Sequence, residues 1–271
     1  MLTCHKNIVI PPECGFAVWL YEEYKAWNDP DSDSLIDRFV KDVLNCRKFE
    51  TWQLNEVDVR EFVKQKRPAS YPDALSAVYE WYGLSLGRSF ERWGDKNNYY
   101  IDHIPTIHAM FPDACYAHIV RDGRNVACSY KNLNQRTIDS RYAPQLPSSI
   151  EEIAEQWQKN METIRRSFDQ IGRAKVHEVR LEDLVVEPEK ILTQLCDHVG
   201  EEFDPSMLVY HSTNKESVLE PTEFLQWKEK TLKPLISTET ERYRSELTEK
   251  EIQVFHGVAG NILKRYGYSM Q

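Results

Sequence analysis

The run Ala114-Cys-Tyr-Ala-His-Ile-Val120 gives way, without any linker, to Arg121-Asp-Gly-Arg-Asn125, and helical spacing begins at Val126. A short, nearly continuous apolar run is what a strand covered on both faces of a parallel sheet requires. Such a strand needs a crossover before its parallel neighbour, and a turn leading at once into a helix begins one. The same alternation recurs along the chain. Asn7–Ile10 is a β-branched run ended by Pro11-Pro12, and Lys175–Arg180 alternates as a strand before a helix over Glu189–Val199.

Helical periodicity predicts Leu35–Leu44, with Leu35, Ile36, Phe39, Val40 and Val43 on one stripe. It also predicts Val57–Lys64, Ile104–Met110, Ile150–Phe168, and a helix after Tyr71-Pro72-Asp73 carrying Leu75, Val78, Tyr79, Tyr82 and Leu86. The last helix opens with Thr248 as N-cap and Glu251 three residues on, and it ends at Gly267. Strands alternating with longer helices imply an α/β fold, layered around a central, mostly parallel sheet.

With 271 residues, 41% of them hydrophobic, the chain is large enough for one sizeable core, and residues 1–271 read as a single domain. A net charge of −9 disfavours a nucleic-acid partner, which would call for a basic surplus. The six cysteines show no C-x-x-C pair and read as reduced structural thiols. No apolar run has membrane-spanning length, and "MLTCHKNIVI" does not read as a leader, so the expected location is cytoplasmic. His103 and His108 are five residues apart, off one helical face, and read as structural or surface groups rather than metal ligands.

Ligands of open parallel sheets sit beyond the carboxyl ends of the strands, which is where Arg121 lies. Asp122 or Gly123 caps the incoming helix, whose positive end favours an anion. A guanidinium can grip two phosphate oxygens at once, and Ser129, eight residues further on, offers a hydroxyl to the same anion. Taken alone, the corner fits an ordinary strand–turn–helix with a surface arginine equally well.

The flanks carry more. "GDKNNYYIDHIPTIHAMFPDACYAHIVRDGRNVACSY" resembles the block that holds the nucleotide 3′-phosphate in sulfotransferases using 3′-phosphoadenosine 5′-phosphosulfate (PAPS). The resemblance continues at "VRLEDLVVEPEKILTQLCDHVGEEFDPSML", at "TLKPL" and at the final helix ending "RYGY", and it is nearest to the bacterial and tyrosylprotein-type branch. It implies a P-loop-NTPase-like three-layer fold and sulfuryl transfer from PAPS to a hydroxyl or tyrosine acceptor, without a metal. By position, it makes Arg121 and Ser129 the 3′-phosphate ligands and Lys233 a further contact to the nucleotide. It places Lys96 near the sulfuryl group and makes Glu13, in "IPPECGF", the general base. One departure is Leu181, in "LED", where the family often has a tyrosine near the adenine.

None of the ten glycines forms G-x-x-x-x-G-K-[ST] or the family's shorter phosphosulfate loop. By resemblance, Met1–Thr3 match the tail of the helix that follows this loop, so the first strand and the loop are expected to be missing from the 271 residues. That leaves a rival reading, a non-catalytic nucleotide-binding or scaffold protein on the same fold. A P-loop kinase relative is disfavoured, since neither a lysine-bearing phosphate loop nor a Mg²⁺-binding acid set is present. The segments Phe16–Trp27 and Lys131–Pro147 are the expected acceptor-side lining.

Overall fold

The structure, a computed structural model, describes residues 1–217, 221–235 and 240–270. Its chain divides into two compact units, Met1–Ala114 with Asp204–Pro221, and Cys115–Phe203 with Thr222–Gln271.

The first unit starts with strand β1, Ile8–Val9, which Pro11 and Pro12 stop because proline has no N–H to donate. Helices α1 (Asp33–Leu44), α2 (Glu56–Lys66) and α3 (Tyr71–Ser85) follow, then strand β2 (Arg92–Trp93) and helix α4 (Ile104–Met110). Their starts are fixed locally: Ser32, Asn55 and Ser70 each accept a first-turn N–H through the side chain. Ile36, Phe39, Val40 and Val43 are buried as their spacing requires. Leu86 was expected on the buried stripe of α3 but is 48% exposed, because the helix ends at Ser85.

The core of this unit is largely aromatic. Phe16 meets Phe49 and Trp52 edge-on, with ring centroids 5.6 Å apart in each case, and it stacks on Tyr79 at 5.4 Å. Two of the polar atoms in this core pin backbone rather than pointing at water. Trp52 Nε1 donates to the Pro12 carbonyl at 2.8 Å, and the Tyr71 hydroxyl donates to Ala17 O at 3.0 Å. Arg88 donates to the carbonyls of Thr3, His5 and Ile8 at 3.0, 2.7 and 3.0 Å, tying the chain that leads into β1 to the strand's first residue.

In the second unit, strand β3 (Tyr116–Val120) leads into helix α5 (Gly123–Asn134) and helix α6 (Ile150–Ile171). Strand β4 (Val176–Arg180), helix α7 (Pro188–Val199) and the long C-terminal helix α8 (Glu249–Arg265) follow. Ser149 with Glu152, and Thr248 with Glu251, form complete capping boxes at α6 and α8. Val120, Ala127, Trp157, Phe255 and Leu263 lie in one apolar cluster. Gly123 is required by that packing: a Cβ there would meet Trp157 and Phe255 carbons at 2.5 and 2.6 Å.

All the strand pairing is parallel, β1 with β2 and β3 with β4. A single central sheet was expected, whereas the described residues form two separate two-stranded sheets. The β3 strand is also covered differently from expectation: His118 and Val120 are buried, but Ile119 is 52% exposed. Alternate side chains leave a strand on opposite faces, and the Phe168 ring of α6 lies beside Tyr116 and His118 on one of them.

Candidate active site

Arg121 follows β3 directly, and Ser129 sits in the second turn of α5. Their side chains meet, with Arg121 Nη1 donating to Ser129 Oγ at 3.3 Å while that hydroxyl donates to the Asn125 carbonyl at 3.1 Å. Both residues are half-buried. A guanidinium and a hydroxyl side by side at a strand end can converge on one anion, the hydroxyl by giving up its bond to the Asn125 carbonyl.

The rest of the corner is otherwise employed. Asp122 is the N-cap of α5, and its carboxylate accepts from the Arg124 backbone N–H at 2.8 Å. The same carboxylate takes Arg124 Nε at 3.0 Å and Nη2 at 2.7 Å, with both side chains almost fully buried. The Asp122 N–H donates to Glu182 at 3.0 Å, and the Tyr268 hydroxyl donates to the other oxygen of Glu182 at 2.9 Å. Two of the helix-start N–H groups expected to face an anion are therefore already engaged by protein carboxylates. At this corner the side chains of Arg121 and Ser129 are the groups left to meet an anion, rather than the backbone of the helix start. In "LED", Leu181 begins a short helix, Leu181–Val186, and the glutamate rather than the leucine supports the corner.

Lys233 follows a 3-10 turn, Glu229–Leu232, and its ammonium pairs with Glu229 at 3.5 Å, both side chains well exposed.

Glu13 and Lys96 come together in the first unit. Lys96 forms an ion pair with Glu13 Oε1, and Lys48 reaches Oε2 at 3.3 Å. The Glu13 side chain is only 14% exposed, against 60% for Lys96, so the carboxylate is held while the lysine faces water. The segment carrying Glu13 is tied on three sides: Pro12 O to Trp52, Cys14 Sγ to the Arg47 carbonyl at 3.4 Å, and Cys14 O to the Tyr100 hydroxyl at 3.1 Å. Lys48 has φ +75, a left-handed conformation costly for a side chain with a Cβ, and from there its ammonium reaches Glu13.

Next to Lys96 in the chain is the buried carboxyl of Asp95, whose Oδ2 accepts from the hydroxyls of both Tyr79 and Tyr100 at 2.5 Å. Tyr79 in turn stacks flat on Trp93, 4.3 Å between centroids. Burial pushes the Asp95 carboxyl up to about 6, against the opposing pull of Tyr100, Tyr79 and the Lys96 backbone N–H, with Glu13 pushing the same way as burial. Because the folded group keeps its proton to about pH 6 while an unfolded aspartate releases it near 3.8, the folded state binds more protons in that window. Its contribution to stability therefore falls as pH rises through the window. Relative to the parent, Asp95→Asn is expected to gain stability between pH 4 and pH 6, and urea midpoints at the two pH values check it.

Lys48, Asp95 and Tyr100 escaped the sequence reading. Asp95 adjoins Lys96 in "GDK" and was the only one of the three within reach of it; a lysine at positive φ leaves no sequence signal.

The profile described as "Sulfotransferase family" matches residues 1–205. The chain belongs to the sulfotransferase family. Two solved structures share the family's fold. One is titled "Sulfotransferase Domain from the Curacin Biosynthetic Pathway": 14% identity, TM-score 0.60, covering 100% of this chain and 92% of that one. The other is titled "Sulfotransferase Domain from the Synechococcus PCC 7002 Olefin Synthase": 20% identity, TM-score 0.53, covering 95% and 87%. At these identities the likeness is one of fold. No curated protein matches the chain. Among the described residues, no helix is long and apolar enough to cross a membrane, and no group of three or more His, Cys, Asp or Glu side chains is placed to hold a metal ion.

Proposed function

We propose that this sulfotransferase-family chain moves a sulfuryl group from PAPS to a hydroxyl or tyrosine acceptor. The observation that carries the reading is the Arg121 guanidinium meeting the Ser129 hydroxyl at the end of β3. These two hold the 3′-phosphate, with Lys233 as a further cation for the nucleotide. Glu13 takes the acceptor proton as the new O–S bond forms. The bond from sulfur to the phosphate oxygen breaks, and adenosine 3′,5′-bisphosphate leaves. Lys96 stabilises the negative charge that develops on the transferring group, which fixed cations do best when it is concentrated in the transition state. For that, Lys96 has to part from Glu13, and its exposed side chain gives it the freedom to do so.

The placement of Glu13 after Pro11-Pro12 supports the bacterial and tyrosylprotein-type branch. The family match runs through residues of both units and supports reading residues 1–271 as one domain. Six free thiols support a reducing, cytoplasmic setting.

The test uses the desulfated nucleotide, because the sequence offers no glycine-rich loop for the phosphosulfate end. Calorimetry is expected to show adenosine 3′,5′-bisphosphate binding, with Arg121→Ala losing about 2 kcal/mol, as for truncating one partner of a charge-assisted contact. Unchanged affinity in Arg121→Ala would remove the basis of the assignment.

A further inference from the structure

A buried carboxylate is expensive unless something uses it, and the proposed proton transfer does not use Asp95. Its surroundings show what it connects. The Asp95 carboxylate adjoins Lys96 in the chain and receives the Tyr100 hydroxyl at 2.5 Å. The same hydroxyl lies 3.1 Å from the carbonyl of Cys14, the residue after Glu13. One phenol oxygen thus bridges the segment carrying the base and the segment carrying the lysine. Tyr79 donates to the same Asp95 oxygen from α3, and its ring is clamped between Trp93 and Phe16. The anchor is therefore rooted in the aromatic core rather than in either loop.

We infer that Asp95, with Tyr100 and Tyr79, is a positioning cluster that sets the Lys96–Glu13 pair, fixing the base and the cation relative to each other before substrate arrives. This rests on the roles proposed above for Glu13 and Lys96. The physical reason is that a lysine on a flexible four-carbon stem, more than half exposed, loses considerable rotamer freedom when paired. Rigid backbone at both ends of the pair reduces that loss. A tyrosine hydroxyl has one proton to donate, so the Asp95 carboxylate and the Cys14 carbonyl compete for it. Removing either the hydroxyl or the carboxylate charge unbalances both loops at once.

The test is acylation of individual lysines by acetic anhydride, read by peptide mass spectrometry on the full chain without nucleotide. Lys41, exposed on α1 in the same unit, is the internal reference for general loosening. In Tyr100→Phe and in Asp95→Asn, the Lys96-to-Lys41 labelling ratio is expected to rise about threefold to tenfold, the scale of one lost hydrogen bond. Glu13→Gln, which removes the ion pair itself, should raise the ratio at least as far. A ratio that stays at the parent value in Tyr100→Phe and Asp95→Asn overturns the inference, and so does a parallel rise at Lys41, which would mark a merely structural role. No response to Glu13→Gln also overturns it, because the pair would then not restrain Lys96. Should Asp95→Asn fail to fold, Tyr79→Phe removes one hydroxyl and keeps the ring stack on Trp93. Failure of the nucleotide-binding reading would appear separately, as absent affinity for adenosine 3′,5′-bisphosphate in the parent chain.

Discussion

Arg124→Ala is expected to cost about 3–5 kcal/mol of stability, the range for breaking a buried ion pair from one side. The Arg124 and Asp122 side chains are 1% and 3% exposed, so the carboxylate left behind has little access to water. The loss is not confined to the pair. Arg124 Nη1 also donates to the Ser269 carbonyl at 2.8 Å and to His256 Nε2 at 3.0 Å, and the guanidinium lies 3.8 Å from the centre of the Tyr243 ring. Burial, and then Arg124 itself, holds His256 below its ordinary range, in keeping with a neutral ring whose Nε2 accepts. A lysine is not expected to restore stability, because an ammonium cannot reproduce the planar fork that serves three acceptors. Asp122→Asn combined with Arg124→Met should recover part of the loss, since it leaves no bare charge. Denaturant midpoints decide the matter: a shift worth under about 1 kcal/mol for Arg124→Ala would mean that water reaches Asp122, contrary to its burial.

The contrast between Arg121 and Arg124 shows what the sequence could and could not convey. Both arginines stand in "VRDGRN", and the strand–turn–helix around them was readable because apolar periodicity changes from continuous to helical across five residues. That Arg124 is the fully buried one was a matter of helix phase combined with contacts from residues more than 110 positions away, at Tyr243, His256 and Ser269. No local pattern encodes those. Capping chemistry was the most legible feature, because it depends on residues three apart: Thr248 and Glu251 form the predicted box. The covering of β3 was the least legible. "ACYAHIV" reads as buried on both faces, yet Ile119 is exposed, and apolar composition does not say how many neighbours a strand will have. The site in the first unit was half legible. Glu13 and Lys96 were found through resemblance and do meet, whereas Asp95 and Tyr100 became visible only once the fold brought Cys14 to the Tyr100 hydroxyl.

In a chain that carries the phosphosulfate loop, Glu13→Gln is expected to lower kcat by about 10²-fold or more under saturating PAPS, within the range for a general acid–base residue. Glutamine keeps the length of the side chain and can still accept a hydrogen bond from Lys48, but it cannot take the acceptor proton. The substitution also removes the counter-charge to Lys96, so a purely electrostatic role for the pair would predict the opposite sign: a freed lysine, better able to meet the sulfuryl oxygens, and a faster enzyme. The two effects separate in the pH profile. Loss of the base abolishes the acid limb of kcat/KM, because no carboxylate remains to be protonated as pH falls. Release of Lys96 alone would leave that limb in place and raise the plateau. Affinity for adenosine 3′,5′-bisphosphate, which the proposal assigns to Arg121 and Ser129, should not change. A variant with parental kcat and a parental acid limb would show that the proton leaves the acceptor by another route, and Glu13 would then be a structural counter-ion to Lys48 and Lys96.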